Sequence, residues 1–94
     1  MSLTFEWDSR EARSNLAKHD VAFDEASTIF GDPLSLSVSD SDHSLVEERY
    51  VTMGRAFNNK LLIVVHTDRG NNIRIISARH ASRRERKFYG ARIE

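Results

Sequence analysis

The sequence predicts an α+β fold, a small twisted antiparallel sheet packed with helices in the order β-α-α-β-β-β-β-α. Three observations lead there. Apolar stretches at 48–55, 61–67 and 73–79 are separated only by Asn58-Asn59 and by Arg69-Gly70-Asn71-Asn72, turn sequences of the kind that join consecutive hairpins. Two stretches with helix-start and helix-stop residues precede them. After them, Ser82 and Glu85 form the S-x-x-E capping box of a final helix.

Residues 3–7 read as a short first strand. Asp8 is a good N-cap for a helix over 9–19, with Glu11 three residues on, Ala12, Leu16 and His19 on one face, and Lys18 and His19 in the last turn, where positive charge suits the dipole. Asp20 breaks that pattern. Phe23, Ala26, Ile29 and Phe30 have the spacing of a second helix over 23–30, with Gly31 as its C-cap and Pro33 preventing continuation. Leu34, Leu36 and Val38 alternate with serines, as a half-buried strand does. Of the three strands that follow, LLIVVH is nearly continuous in apolar residues and is expected at the centre, covered on both faces. The last helix is expected to reach Tyr89 and to end at Gly90. The chain reads as one domain over 1–94, without repeats or linkers.

Composition narrows the classes. Hydrophobic residues make up 39% and charged residues 30%, as in soluble globular proteins. Cysteine is absent, which removes disulfides and thiolate metal sites. No apolar run approaches the ~20 residues of a membrane span, and the N-terminus lacks the apolar region of a signal peptide, so cytoplasmic residence is the default expectation. The formal net charge is zero, but residues 1–48 hold 3 Lys/Arg against 11 Asp/Glu, and residues 49–94 hold 11 against 3. A basic half on a small body is where nucleic acid would bind.

That half is concentrated in RGNNIRIISARHASRRERKFY, residues 69–89. A rigid strand and helix carrying many planar guanidinium forks suit a phosphate-rich partner, which makes Arg69, His80, Arg83, Arg84, Arg86 and Lys87 candidates for contact with the phosphates of a nucleic acid. The same run also suits a solvated helix face. Strict alternation would put Arg79 on one face with Ile73, Ile75 and Ser77, and Arg74 on the other with Ile76. Either arginine could clamp a phosphate, or form a salt bridge to the acidic first half. His43 lies among carboxylates in DSDHSLVEER and could move protons, or simply bond a turn. His66, at the end of the central strand, reads as a packed or edge residue. The four histidines show no H-x-x-H or H-E-x-x-H spacing, so no metal is expected, and no Walker, G-x-G-x-x-G or G-x-S-x-G motif suggests a nucleotide cofactor or a serine hydrolase.

A string of pieces then gives the chain a family resemblance: FEWD at 5–8, N-L-x-K-H at 15–19, V-x-F-x-E-A at 21–26, F-x-D-P at 30–33, D-x-x-H-S-x-x-E-E-R at 40–49, RG at 69–70, and I-R-I-I-S-A-R-x-A-x-x-x-E-R-x-x-Y at 73–89. In this order they resemble the BrnT family of bacterial type II toxins. The resemblance implies a RelE-like fold and a metal-independent, cofactor-free endoribonuclease that arrests translation. It implies a BrnA-like antitoxin partner, contact with DNA only through that antitoxin, and antitoxin-bridged oligomers. For the site it implies Arg79 and Arg74 as phosphate stabilisers supported by Arg49, with Lys18, His19 and His43 as candidate proton-transfer groups. Glu85, Arg86 and Tyr89 match the family's final helix and either line the site or dock that helix. The chain departs from the family pattern at Asn58-Asn59-Lys60, at His66 where an aromatic is common, and at Gly90. The alternative is a catalytically silent member that keeps RNA or antitoxin binding and acts as a co-repressor; a purely structural domain would leave the motif string unexplained.

Overall fold

The computed structural model describes residues 3–40 and 47–91. In chain order these form β1 (Thr4–Glu6), α1 (Ser9–His19), α2 (Phe23–Ser27) running into a 3-10 turn (Thr28–Gly31), β2 (Leu36–Ser39), β3 (Arg49–Arg55), β4 (Leu61–Arg69), β5 (Asn72–His80) and α3 (Arg83–Ala91). The strands make one sheet in the order β1-β5-β4-β3-β2. Strands β2 to β5 pair antiparallel, as expected. The short β1 joins β5 in parallel, so the five-stranded sheet is mixed. A parallel neighbour needs a long connection, and most of the chain lies between these two strands.

Helix α1 starts where its cap predicts: the Asp8 carboxylate accepts from the N–H groups of Arg10 (2.7 Å) and Glu11 (3.1 Å). It stops at Asp20, whose φ of 58° is left-handed and whose N–H bonds the Leu16 carbonyl. Its buried side differs from expectation. Leu16 is 49% exposed, and Asn15 is the buried residue. The Asn15 amide donates to the Val21 carbonyl (2.9 Å) and its carbonyl accepts from the Ala78 N–H (3.0 Å), so one polar side chain ties α1 to β5.

The expected second helix is shorter. After Ser27 it tightens into the 3-10 turn, where the hydroxyls of Ser27 and Thr28 donate to the carbonyls of Asp24 and Glu25, both at 2.7 Å, and compete with the helical ladder. Asp32, not a left-handed Gly31, ends the turn: its N–H bonds the Ile29 carbonyl, and its carboxylate accepts from the N–H groups of Leu34 and Arg55. Gly54 is where the 3-10 turn meets β3. A Cβ there would lie 3.1 Å from Ile29 and 3.2 Å from the Ser35 Cβ, so any side chain at this point would have to push its neighbours back by a few tenths of an ångström. Gly70, at φ +63°, makes the tight β4–β5 turn. Gly90 lies inside α3 rather than after it.

Each face of the sheet carries a core. Helices α1 and α2 cover the first, where Val21, Phe23, Ala26 and Ile29 pack on Leu62, Val64, Ile73, Ile75 and Ala78. Trp7 meets Phe23 edge-on and Phe5 meets Phe30 at the rim. Helix α3 covers one end of the second face, where Met53, Leu61 and Ile63 pack with Ala81 and Tyr89. This accounts for the unbroken apolar run of β4. Each fully buried side chain of this size stabilises by ~1.5–3 kcal/mol.

Candidate functional site

Helix α3 leaves the other end of the second face free of helix; Arg49, Arg69 and Arg74 lie there, and Arg79 stands beside α3. Register places Arg49, Thr67, Arg74 and Glu6 side by side across β3, β4, β5 and β1. One step beyond, Arg69, Asn72 and Thr4 form a second row. In the other direction Val51, Val65 and Ser77 form a third, and Met53, Ile63 and Arg79 a fourth. Directly opposed residues share a face. Arg49, Arg69, Arg74 and Arg79 therefore lie on one face, which simple alternation along β5 denied. The cause is an irregularity at Val65/His66: Val65 pairs with Ser77 and His66 with Ile75, leaving Ile76 as an extra residue. Such a bulge reverses the parity of everything after it. It keeps Ile73, Ile75 and Ala78 in the first core while turning both Arg74 and Arg79 to the second face.

Carboxylates hold these guanidiniums. Arg79 makes a two-pronged pair with Glu85, at 2.8 and 3.0 Å. Glu85 also accepts from the Ser82 N–H at 2.8 Å while the Ser82 hydroxyl accepts from the Glu85 N–H at 3.1 Å, completing the predicted capping box. Arg79 and the capping bonds hold the Glu85 carboxyl down to about 2. A carboxylate that acidic orients its arginine well and makes a poor general base near neutrality. Arg69 makes a two-pronged pair with Glu47, at 2.6 and 3.0 Å, which lowers the Glu47 carboxyl. Arg74 touches Glu6 at only 3.4 Å.

The remaining candidates separate. Lys18 and His19 line a cleft of about 480 Å³ with Arg10, Ile76 and Ser77, where α1 faces the β5 edge beyond the end of β1. Ser77 joins this cleft to the arginine face, because it lies on that face between Arg74 and Arg79. His80 pairs with Leu62 and points to the opposite side from Arg79. Arg83, Arg84, Arg86 and Lys87 line an open groove along α3. Arg86 donates to the Ala81 carbonyl at 2.9 Å, whereas Arg83, Arg84 and Lys87 have no ion-pair partner among the described residues. Tyr89 docks its helix: it is 2% exposed, its hydroxyl donates to Asp32 at 2.6 Å, and the Arg55 guanidinium lies 5.2 Å from its ring centre. Burial and that carboxylate raise the Tyr89 hydroxyl. His43 lies outside the described residues.

His66 is packed, as expected, on the helix-covered face. It is 2% exposed between Phe30 and Tyr50. Its Nδ1 meets Asp68 at 2.8 Å and its Nε2 meets Thr52 Oγ1 at 2.6 Å, and Thr52 in turn bonds Ser37. Burial pushes its pKa down despite Asp68, which favours the neutral ring. The network is remote from the arginines, on the other side of the sheet. Among the described residues no three His, Asp or Glu side chains come together as a metal would require, and no helix is long and apolar enough to cross a membrane. Sequence reasoning missed Asn15, Ser77 and Thr67. Asn15 stood in the quoted N-L-x-K-H string, but a polar residue on a helix carries no signal that it is buried.

Comparison with known proteins bears on this geometry. A family model described as the ribonuclease toxin BrnT of type II toxin-antitoxin systems matches residues 7–85. The crystal structure of the Brucella abortus ribonuclease toxin BrnT superposes with a TM-score of 0.66 at 19% identity, covering 87% of this chain and 100% of that one. At that identity the likeness carries the fold. No curated protein sequence matches the chain.

Proposed function

Because the chain belongs to the BrnT family of ribonuclease toxins of type II toxin-antitoxin systems, whose members imply an antitoxin partner, we propose that it is an endoribonuclease that arrests translation and is silenced by a BrnA-like antitoxin. The observation that carries this reading is that Arg49, Arg69, Arg74 and Arg79 share one sheet face, with Arg74 and Arg79 brought to the same side by the bulge at Ile76.

Such a face suits phosphodiester cleavage by the RNA's own 2′-hydroxyl. That oxygen attacks the adjacent phosphorus, the P–O5′ bond breaks, and the products are a 2′,3′-cyclic phosphate and a free 5′-hydroxyl. Charge builds on the non-bridging oxygens during this step, and guanidiniums aimed at those oxygens stabilise it. Arg74 and Arg79 take that role, with Arg49 beside them. A base must accept the 2′-proton and an acid must supply one to O5′. Lys18 and His19, in the cleft that Ser77 joins to the arginine face, are the described groups best placed for proton transfer. His43 remains the other proposed group. Arg69 and the cations of α3 would hold the flanking phosphates.

A second reading, RNA or antitoxin binding without cleavage, has one observation in its favour. The described imidazoles His19, His66 and His80 all stand off the arginine face itself. Induced expression decides between the two. The parent should arrest growth and yield cleaved RNA, and Arg79→Ala or co-expression of the cognate antitoxin should relieve the arrest. Normal growth with folded, RNA-binding protein would select the silent module.

A further inference from the structure

At the centre of the arginine face sits a hydroxyl without a partner. Thr67 is 1% exposed, and its Oγ1 makes no hydrogen bond. Valine has the same shape and would fill this position without burying an unsatisfied polar atom, so threonine here is a local cost to the fold. Its cross-strand neighbours are Arg49 on β3 and Arg74 on β5. Guanidiniums donate and cannot accept. A hydroxyl donor between two such groups lacks an acceptor, and an anion with several acceptor oxygens supplies one.

We propose that Thr67 Oγ1 is a phosphate-binding donor, reaching a non-bridging oxygen of an RNA phosphodiester held between Arg49 and Arg74. This rests on the reading of the chain as an RNA-directed toxin and adds to it a neutral group on the strand between the two cations. Access to the hydroxyl requires a flanking side chain to turn outward. Arg74 is suited to that movement, since its contact to Glu6 is long, at 3.4 Å, and both side chains are about one-third exposed. Binding then exchanges a stretched ion pair and an empty hydroxyl for a filled acceptor set.

The test compares the parent with Thr67→Val and Thr67→Ser for binding of a 2′-O-methyl oligonucleotide, which has no 2′-hydroxyl to react, alongside cleavage of the ordinary RNA and thermal melting. Thr67→Val should bind ~10-fold more weakly, the size of one lost hydrogen bond to a charged group. It should melt at or above the parent's temperature, because the orphaned hydroxyl is gone. Thr67→Ser should bind within about twofold of the parent. A valine variant that binds and cleaves like the parent overturns the proposal and leaves the toxin reading intact. A valine variant that melts well below the parent assigns the hydroxyl to the fold instead, and overturns it too. A folded parent that neither binds the oligonucleotide nor cleaves RNA sinks the toxin reading and this inference together.

Discussion

Glu85 shows how much one side chain can be made to do. It closes the capping box of α3 and grips both prongs of Arg79, so the start of a helix and the aim of a guanidinium depend on the same carboxylate. Its pKa, held near 2 against an ordinary 4.5, ties both to pH. A folded-state value below the unfolded one means the stabilisation is complete above about 4.5 and is lost as pH falls from there toward 2. Glu85→Gln keeps an acceptor for the Ser82 N–H, since glutamine also completes a capping box, but removes the charge. The variant should be less stable than the parent at pH 7, and its melting temperature should fall less between pH 4.5 and 2. Parallel melting curves for the two proteins across that range would show that the Arg79 pair contributes nothing to the fold.

Among the elements, what the sequence disclosed and what it hid divide along a physical line. Helix α1 and the start of α3 were legible because caps are local: Asp8 and the Ser82/Glu85 pair act within one turn. The three hairpin strands were legible from their turns, and Gly70 adopts the positive φ that its turn sequence demands. The shortened α2 was not legible, because Ser27 and Thr28 divert carbonyls that helical spacing takes for granted. The composition of the site was not legible either. Arg74 and Arg79 are five residues apart, alternation separates them, and nothing in IRIISAR announces a bulge. The bulge is specified by the first core, since Ile73, Ile75 and Ala78 can all be buried there only if Ile76 is set aside. Deleting Ile76 brings Ile75 next to Ser77, and plain alternation then keeps Arg74, Ser77 and Arg79 on the second face and Ile73, Ile75 and Ala78 in the first core. The deletion should therefore keep the fold, with a urea midpoint close to the parent's, and Ile76→Ala should be mild as well. A deletion variant that unfolds would show that the extra residue does more than set the parity of the strand.

At the scale of the whole molecule, the segregated charges of the sequence are partly reunited by the fold. Glu6 and Glu47, from the acidic first half, stand against Arg74 and Arg69 of the basic second half. The cations of α3 are not so matched, for Arg83, Arg84 and Lys87 have no ion-pair partner among the described residues. The two groups should answer salt differently. A solvent-facing cation that meets a phosphate releases counterions from the nucleic acid, and each phosphate neutralised on a single strand steepens the fall of log affinity with log salt by ~0.7. A guanidinium that first gives up its own carboxylate frees a charge on the protein as it neutralises one on the RNA, and its net contribution to the slope is smaller. Replacing Arg83, Arg84 and Lys87 together by alanine should flatten the salt dependence of RNA binding by ~2 units of slope. Arg74→Ala should weaken binding at every salt concentration and leave the slope close to the parent's. Titrations of a labelled RNA at several ionic strengths measure both. If the triple variant keeps the parental slope, RNA does not run along α3, and its path is confined to the open sheet face.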